Sequence, residues 1–249
     1  YSPDQFALLE VYAPYGQPNA GIWAPYYTLH KLLAGFLDAY TYTGNEEALV
    51  TAKALGKWVY NRLSACSQEQ LTRMWGMYIA GELGGMNESM AQLYIYAKED
   101  KDPDADIYLA GAKLFDNTIF FNNLEKNLDD IKGRHANQHI PQIVGALKMY
   151  EATVDKGAAE KKYYDISENF WQMTVSRYAY SIGGVGTGEA FPEDPYAQAA
   201  NIMSDRNCET CAAYNMLKLT KMLNNYDPDD AEYMDYYERT LYNQILASQ

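Results

Sequence analysis

Pro25-Tyr26-Tyr27-Thr28-Leu29-His30-Lys31-Leu32-Leu33-Ala34-Gly35-Phe36-Leu37-Asp38-Ala39-Tyr40, closed by Thr43-Gly44-Asn45, sets the architecture of this 249-residue chain. Leu29, Leu32, Leu33, Phe36, Leu37 and Tyr40 recur at offsets of three and four, which predicts one continuous helix face. Pro25 suits a first helical turn, where its missing N–H costs nothing. Thr43-Gly44 ends the helix. Asn45 is a good N-cap for a second helix through Leu49, Ala52, Leu55, Val59 and Leu63. The unit is therefore a helix pair.

The same unit recurs along the chain. Met86 to Tyr96 reads as a helix, and Asp102-Pro103 reads as the cap and first turn of its partner through Ile107, Ala110 and Leu114. Ile143, Leu147 and Tyr150 share a face, a break follows at Asp155 to Gly157, and Tyr163, Ile166, Phe170 and Met173 continue the pattern. Last, Ala212 to Leu223 is answered by Tyr233, Tyr237, Leu241 and Ile245 after Asp227-Pro228. Helix pairs at such regular spacing bury their faces on neighbouring pairs, as an open solenoid or a closed ring. The intervening segments 64–85, 121–139 and 179–207 read as long polar loops. Long loops between regular pairs suit a scaffold that displays a site on one face, which favours an all-α, (α/α) ring. No alternation of strands and helices supports a doubly wound fold.

Hydrophobic residues make up 48% of the chain and run its whole length, so a substantial core is expected. No apolar run is long enough for a transmembrane helix. The formal net charge of −13 argues against nucleic acid and anionic membranes as partners, because both require a basic footprint. The 24 tyrosines suit helix packing and sugar stacking alike. Three cysteines, Cys66, Cys208 and Cys211, are too few for a disulfide framework. The opening Tyr1-Ser2-Pro3-Asp4 is neither a leader nor an initiator sequence, so the natural ends are expected to lie beyond this chain.

Chemistry-bearing residues fall at matching places in the pairs. His30, Asn87-Glu88, His139 and Glu209 with Cys211 each lie in or just before the first helix of a pair. In a ring whose first helices all point one way, these groups meet at one end, where helix N-termini supply positive potential. Each one alone reads more readily as a helix cap or a satisfied polar group. As a set they are what a sugar-cleaving site requires. Ser181-Ile182-Gly183-Gly184-Val185-Gly186-Thr187-Gly188-Glu189 is a glycine-rich loop that ends in a carboxylate. It lacks the lysine and the strand–helix setting of a phosphate cradle. It reads either as an exposed turn or as a loop presenting Glu189 as a general acid/base. Cys208-Glu209-Thr210-Cys211 lacks the setting of a redox motif. It reads as half of a zinc site or as a pair of structural free thiols.

Several blocks together resemble a known family. They are Ile22-Trp23-Ala24-Pro25-Tyr26-Tyr27-Thr28-Leu29-His30-Lys31, Gly84-Gly85-Met86-Asn87-Glu88, Gly133-Arg134-His135-Ala136-Asn137-Gln138-His139-Ile140-Pro141, Gly183 to Phe191, and Glu209-Thr210-Cys211 with Tyr214 to Thr220 and Tyr236-Tyr237-Glu238-Arg239. The chain resembles the bacterial β-L-arabinofuranosidases of glycoside hydrolase families 127 and 146. The resemblance implies an (α/α)6 barrel, of which residues 1–249 are an incomplete part, followed by β-sandwich domains. It implies a retaining hydrolase that releases L-arabinofuranose through a zinc-bound cysteine nucleophile, in place of the usual pair of carboxylates. By motif, Glu189 corresponds to the acid/base, Glu209 and Cys211 to zinc ligands, and His30 and His139 to sugar-binding histidines. Glu88 falls in a recurrent block near the substrate. The nucleophile belongs to a cysteine pair downstream of this chain, and Cys208 is an additional thiol beside Glu209 that leaves the zinc shell ambiguous. Two other readings stand beside this one: a non-catalytic helical toroid that binds glycans or scaffolds a partner, and a toroid hydrolase using Glu88 and Glu189 as two carboxylates. A glycan substrate too large to enter a cell implies a periplasmic or secreted enzyme.

Overall fold

The computed structural model describes residues 3–16, 21–154, 160–196 and 205–249. Among these residues the regular structure is helical: α1 (Pro3–Glu10), α2 (Pro25–Thr43), α3 (Glu46–Leu63), α4 (Gln68–Trp75), α5 (Met86–Glu99), α6 (Ala105–Lys113), α7 (Thr118–Glu125), α8 (Ala136–Val154), α9 (Lys161–Met173), α10 (Thr210–Asn224) and α11 (Ala231–Thr240). β-Structure among the described residues is confined to isolated bridges. The chain divides into two compact units, Tyr1–Ile119 with Lys148–Ala159, and Phe120–Leu147 with Glu160–Gln249.

In the first unit the pair α2–α3 packs on the pair α5–α6, first helix on first and second on second. The boundary between α2 and α3 forms as the sequence predicts. Gly44, at φ 68°, returns its N–H to the Tyr40 carbonyl, and the Asn45 side chain accepts from the Ala48 N–H at 3.1 Å. Gly56 on α3 lies where a Cβ would stand 2.5 Å from Leu93 of α5, so a bare backbone permits this close packing. At the start of α2, Tyr26 meets Phe6, Trp75 and Phe115 edge-on at 5.0–5.4 Å, and Trp75 Nε1 donates to the Leu114 carbonyl.

In the second unit α10 packs on both α9 and α11. Trp171 of α9 is the central core residue here. It packs against Tyr233 and Tyr236 at 4.6 and 5.8 Å and donates through Nε1 to the Thr220 hydroxyl at 2.8 Å. One π-helical turn follows α9 at Thr174–Tyr178 and another follows α11 at Leu241–Ile245.

Several details differ from the sequence reading. The segment 64–85 contains α4, capped by Ser67, whose hydroxyl accepts from the Gln70 N–H. The segment 121–139 holds most of α7 and the start of α8, with non-helical chain between them. Helix α8 reaches back to Ala136 and carries Pro141 in its interior. Leu32 is 51% exposed; the buried seam of α2 runs through Tyr26, His30, Leu33 and Leu37. Asp102 and Asp227 do not cap helices. Helix α6 begins at Ala105, and the α11 cap is Asp230, which accepts from the Glu232 N–H at 2.9 Å. The break expected at Asp155 to Gly157 lies outside the described residues.

Candidate active site

In the first unit, His30 and Glu88 gather around Gly84-Gly85. His30 is 7% exposed, and its Nδ1 accepts the Gly85 N–H at 3.1 Å, so in the neutral ring Nε2 carries the proton. Gly84 adopts φ 58°, and a Cβ there would lie 2.5 Å from His30 Nδ1. Only glycine meets both conditions without displacing the ring. A Cβ on Gly85 would lie 3.0 Å from both His30 Nε2 and Glu88 Oε2. Asn87, fully buried, accepts the Glu88 N–H through its own side-chain oxygen at 3.1 Å. The double glycine thus lets a histidine edge and a carboxylate share one small space.

The second unit builds its site from the start of α8, the glycine-rich loop and the start of α10. Thr187 and Ala190 exchange backbone hydrogen bonds across Gly188-Glu189, which makes a two-residue hairpin turn. Both central residues have positive φ, 57° and 72°, as a type I′ turn demands. Glu189 therefore occupies a position that favours glycine or asparagine. The hairpin is clamped on two sides. The Ala136 N–H donates to the Glu189 carbonyl at 2.8 Å and the Phe191 N–H to the Arg134 carbonyl at 2.9 Å. On the other side the Gly188 N–H donates to the Arg206 carbonyl and the Cys208 N–H to the Gly186 carbonyl.

This arrangement sets the Glu189 carboxylate, 53% exposed, at a cavity of about 390 Å³ lined also by Asp205, Arg206, Asn207 and Glu209. Cys211 Sγ donates to Glu209 Oε2 at 3.3 Å. Asn215 ties the neighbouring helix starts together, donating to Asn137 Oδ1 and to the Cys211 carbonyl, each at 3.0 Å. Burial first, and then the hydrogen bond to Glu209 and its charge, push the Cys211 thiol up to about 11. Burial alone pushes Cys208 up to about 11 as well.

The residues singled out by sequence are thus treated differently. Glu189, Glu209 and Cys211 come together. Cys208 is turned toward Gly184, where a Cβ would meet its Sγ at 2.9 Å, and its carbonyl accepts from Gln244. Among the described residues, no group of three His, Cys, Asp or Glu side chains stands ready to hold a metal ion. His139 is 7% exposed and lies inside α8. Its Nδ1–H donates to the His135 carbonyl at 2.9 Å, Arg134 lies 3.4 Å from Nε2, and Phe120 packs edge-on at 5.2 Å. Burial holds its pKa down to about 4, so the ring is neutral at pH 7. The sequence reading missed His135, whose Nε2 stands 3.4 Å from Glu189 Oε2.

The family described as "Beta-L-arabinofuranosidase, GH127 catalytic domain" matches residues 12–249. A solved structure titled "The GH127, Beta-arabinofuranosidase, BT3674" shares the fold with a TM-score of 0.59 and 24% identity, over 88% of this chain and 33% of that one. The chain thus spans about a third of the length of that protein. No curated protein matches it. The helices and the shared fold bear out the fold class read from the sequence, an all-α toroid of helix pairs. With a match that runs from Tyr12 to the last residue, the chain belongs to the GH127 β-L-arabinofuranosidase catalytic-domain family.

Proposed function

We propose that this chain supplies the acid/base and part of a zinc site to a retaining glycoside hydrolase that releases L-arabinofuranose from arabinose-containing glycans. The observation that carries this reading is the placement of Glu189. A carboxylate is held on a strained turn at the mouth of a polar cavity, with Glu209 on the same wall and Cys211 hydrogen-bonded to Glu209. Backbone strain of this kind persists where the surrounding structure enforces it, and it clusters at working sites. In this reading Glu189 protonates the departing glycosidic oxygen and later takes a proton from water.

Glu209 and Cys211 are the residues that would hold zinc. A thiol that shares its proton with a carboxylate is a donor pair of the kind Zn²⁺ binds once that proton has left. Bound zinc would supply the charge that keeps a cysteine ionised near neutral pH. The family resemblance implies that the nucleophile and the remaining thiolate come from the downstream cysteine pair. A large extracellular glycan as substrate supports action in the periplasm or outside the cell. No helix among the described residues is long and apolar enough to cross a membrane.

The test is metal content. After exhaustive dialysis the full-length protein is expected to retain stoichiometric zinc, Cys211→Ala and Glu209→Ala to lose most of it, and Glu189→Gln to keep it. A full-length protein that hydrolyses an aryl β-L-arabinofuranoside with no zinc bound, and after its thiols have been alkylated, would instead work with two carboxylates.

A further inference from the structure

We infer that His135 is the positioning residue for Glu189, an inference that rests on the acid/base reading above. His135 stands immediately before α8. Its Nδ1 accepts the Gln138 N–H at 3.1 Å, the bond that an N-cap side chain makes. Serine, threonine, asparagine or aspartate does this ordinarily, and none of them has anything further to offer. An imidazole does. With Nδ1 committed as an acceptor, the neutral ring carries its proton on Nε2, and Nε2 lies 3.4 Å from Glu189 Oε2. Catalytic contacts are commonly this long before substrate binds, and they tighten in the working complex.

The pairing is imposed by the backbone. His135 and Ala190 bridge in antiparallel fashion, the Ala136 N–H holds the Glu189 carbonyl, and the Gly133 N–H holds the Phe191 carbonyl at 3.0 Å. Ring and carboxylate thus project from opposite strands of one short ladder. The His135 side chain is 13% exposed, so the partner is fixed, whereas the carboxylate is half in solvent. Once this 3.4 Å contact tightens into a hydrogen bond from Nε2–H to Oε2, the carboxyl proton is left on Oε1. That is the oxygen a general acid must turn toward the leaving group. Without His135, a half-exposed carboxyl on a turn rotates and presents either oxygen. The two ring nitrogens therefore have separate duties: Nδ1 starts the helix and Nε2 orients the acid.

The experiment separates these duties in the full-length enzyme. Values of kcat/KM are measured for 2,4-dinitrophenyl, 4-nitrophenyl and phenyl β-L-arabinofuranosides. Acid assistance matters for phenol and hardly at all for dinitrophenolate, which departs without a proton. Asparagine keeps the cap and removes the distal N–H. His135→Asn is expected to lower kcat/KM for the phenyl substrate by about 10²-fold, the cost of misplacing a catalytic group by roughly 1 Å. The dinitrophenyl substrate is expected to change by less than about threefold on the same grounds, since it needs no acid. Glutamine keeps a donor near the distal position and loses the cap, so His135→Gln is expected to lower thermal stability while leaving the three substrates in wild-type proportion. The double variant His135→Asn/Glu189→Gln should be no worse than Glu189→Gln alone, because both act on one step.

A uniform loss on all three substrates, or no loss, in His135→Asn would overturn the inference and leave His135 as a cap. If His135→Asn does not fold, His135→Gln decides: wild-type proportions support the inference and a steep gradient overturns it. If Glu189→Gln itself shows no dependence on the leaving group, the acid/base reading fails, and the inference fails with it.

Discussion

Glu189→Gln in the full-length protein is expected to lower kcat/KM for phenyl β-L-arabinofuranoside by about 10²–10⁴-fold, the usual contribution of a positioned general acid. Glutamine preserves the size and the turn geometry but cannot release a proton. KM for the same substrate should change little, because the lost interaction exists only as the glycosidic bond breaks. On the retaining mechanism proposed above, the second half of the reaction should suffer too, since the same carboxylate would activate the incoming water. An activated substrate would then show a burst followed by slow turnover as the glycosyl-enzyme accumulates. A Glu189→Gln enzyme with wild-type rates on the phenyl substrate would remove the acid/base from this turn.

Trp171→Ala is expected to be the most damaging core substitution in the second unit. The side chain is fully buried, and its removal opens a cavity among Tyr233, Tyr236 and Thr220. Truncations of this size cost about 3–5 kcal/mol, a large share of the roughly 5–15 kcal/mol that holds a domain together. Calorimetry should show the transition of this unit shifted down or lost. Trp171→Phe restores most of the packing and forgoes the hydrogen bond to Thr220, at a cost of about 1 kcal/mol for that bond. The loss would reach the site as well. Tyr236, which packs on Trp171, donates its hydroxyl to the Gly183 carbonyl at 2.8 Å and so anchors the loop that ends at Glu189. A Trp171→Ala unit with an unchanged transition would show that the core closes around the gap.

The helix pairs were legible because their signals are local. Pro25, Gly44 and Asn45 each act within one turn of backbone, and the structure uses all three as the sequence suggests. Leu32 misled because periodicity marks a stripe without fixing its edges, and the seam chosen by packing passes through His30 instead. Asp102-Pro103 and Asp227-Pro228 misled for a related reason. An aspartate before a proline also makes a turn, and the Asp102 carboxylate accepts the Asp104 N–H rather than opening a helix. The pairing of Glu209 with Cys211 was readable from two residues of spacing. The grouping of Glu189 with Glu209 required the family motifs, because it depends on a loop returning across about twenty residues. His135 was missed because a histidine at a helix start carries no signal for what faces its far nitrogen; only the ladder between Gly133–Ala136 and Glu189–Phe191 creates that neighbour.

The left-handed backbone at Glu189 has a consequence for anyone engineering this chain. A non-glycine residue held there costs the fold about 1 kcal/mol. Glu189→Gly should therefore raise the melting temperature of the unit by a few degrees, roughly what such a gain yields in a domain of this size. A library screened only for heat resistance would drift toward glycine at this position, giving sturdier proteins that, on the acid/base reading, have lost most of their activity. Thermal selections on this scaffold need an activity screen in the same round, and a stabilising hit at position 189 is best read as a warning.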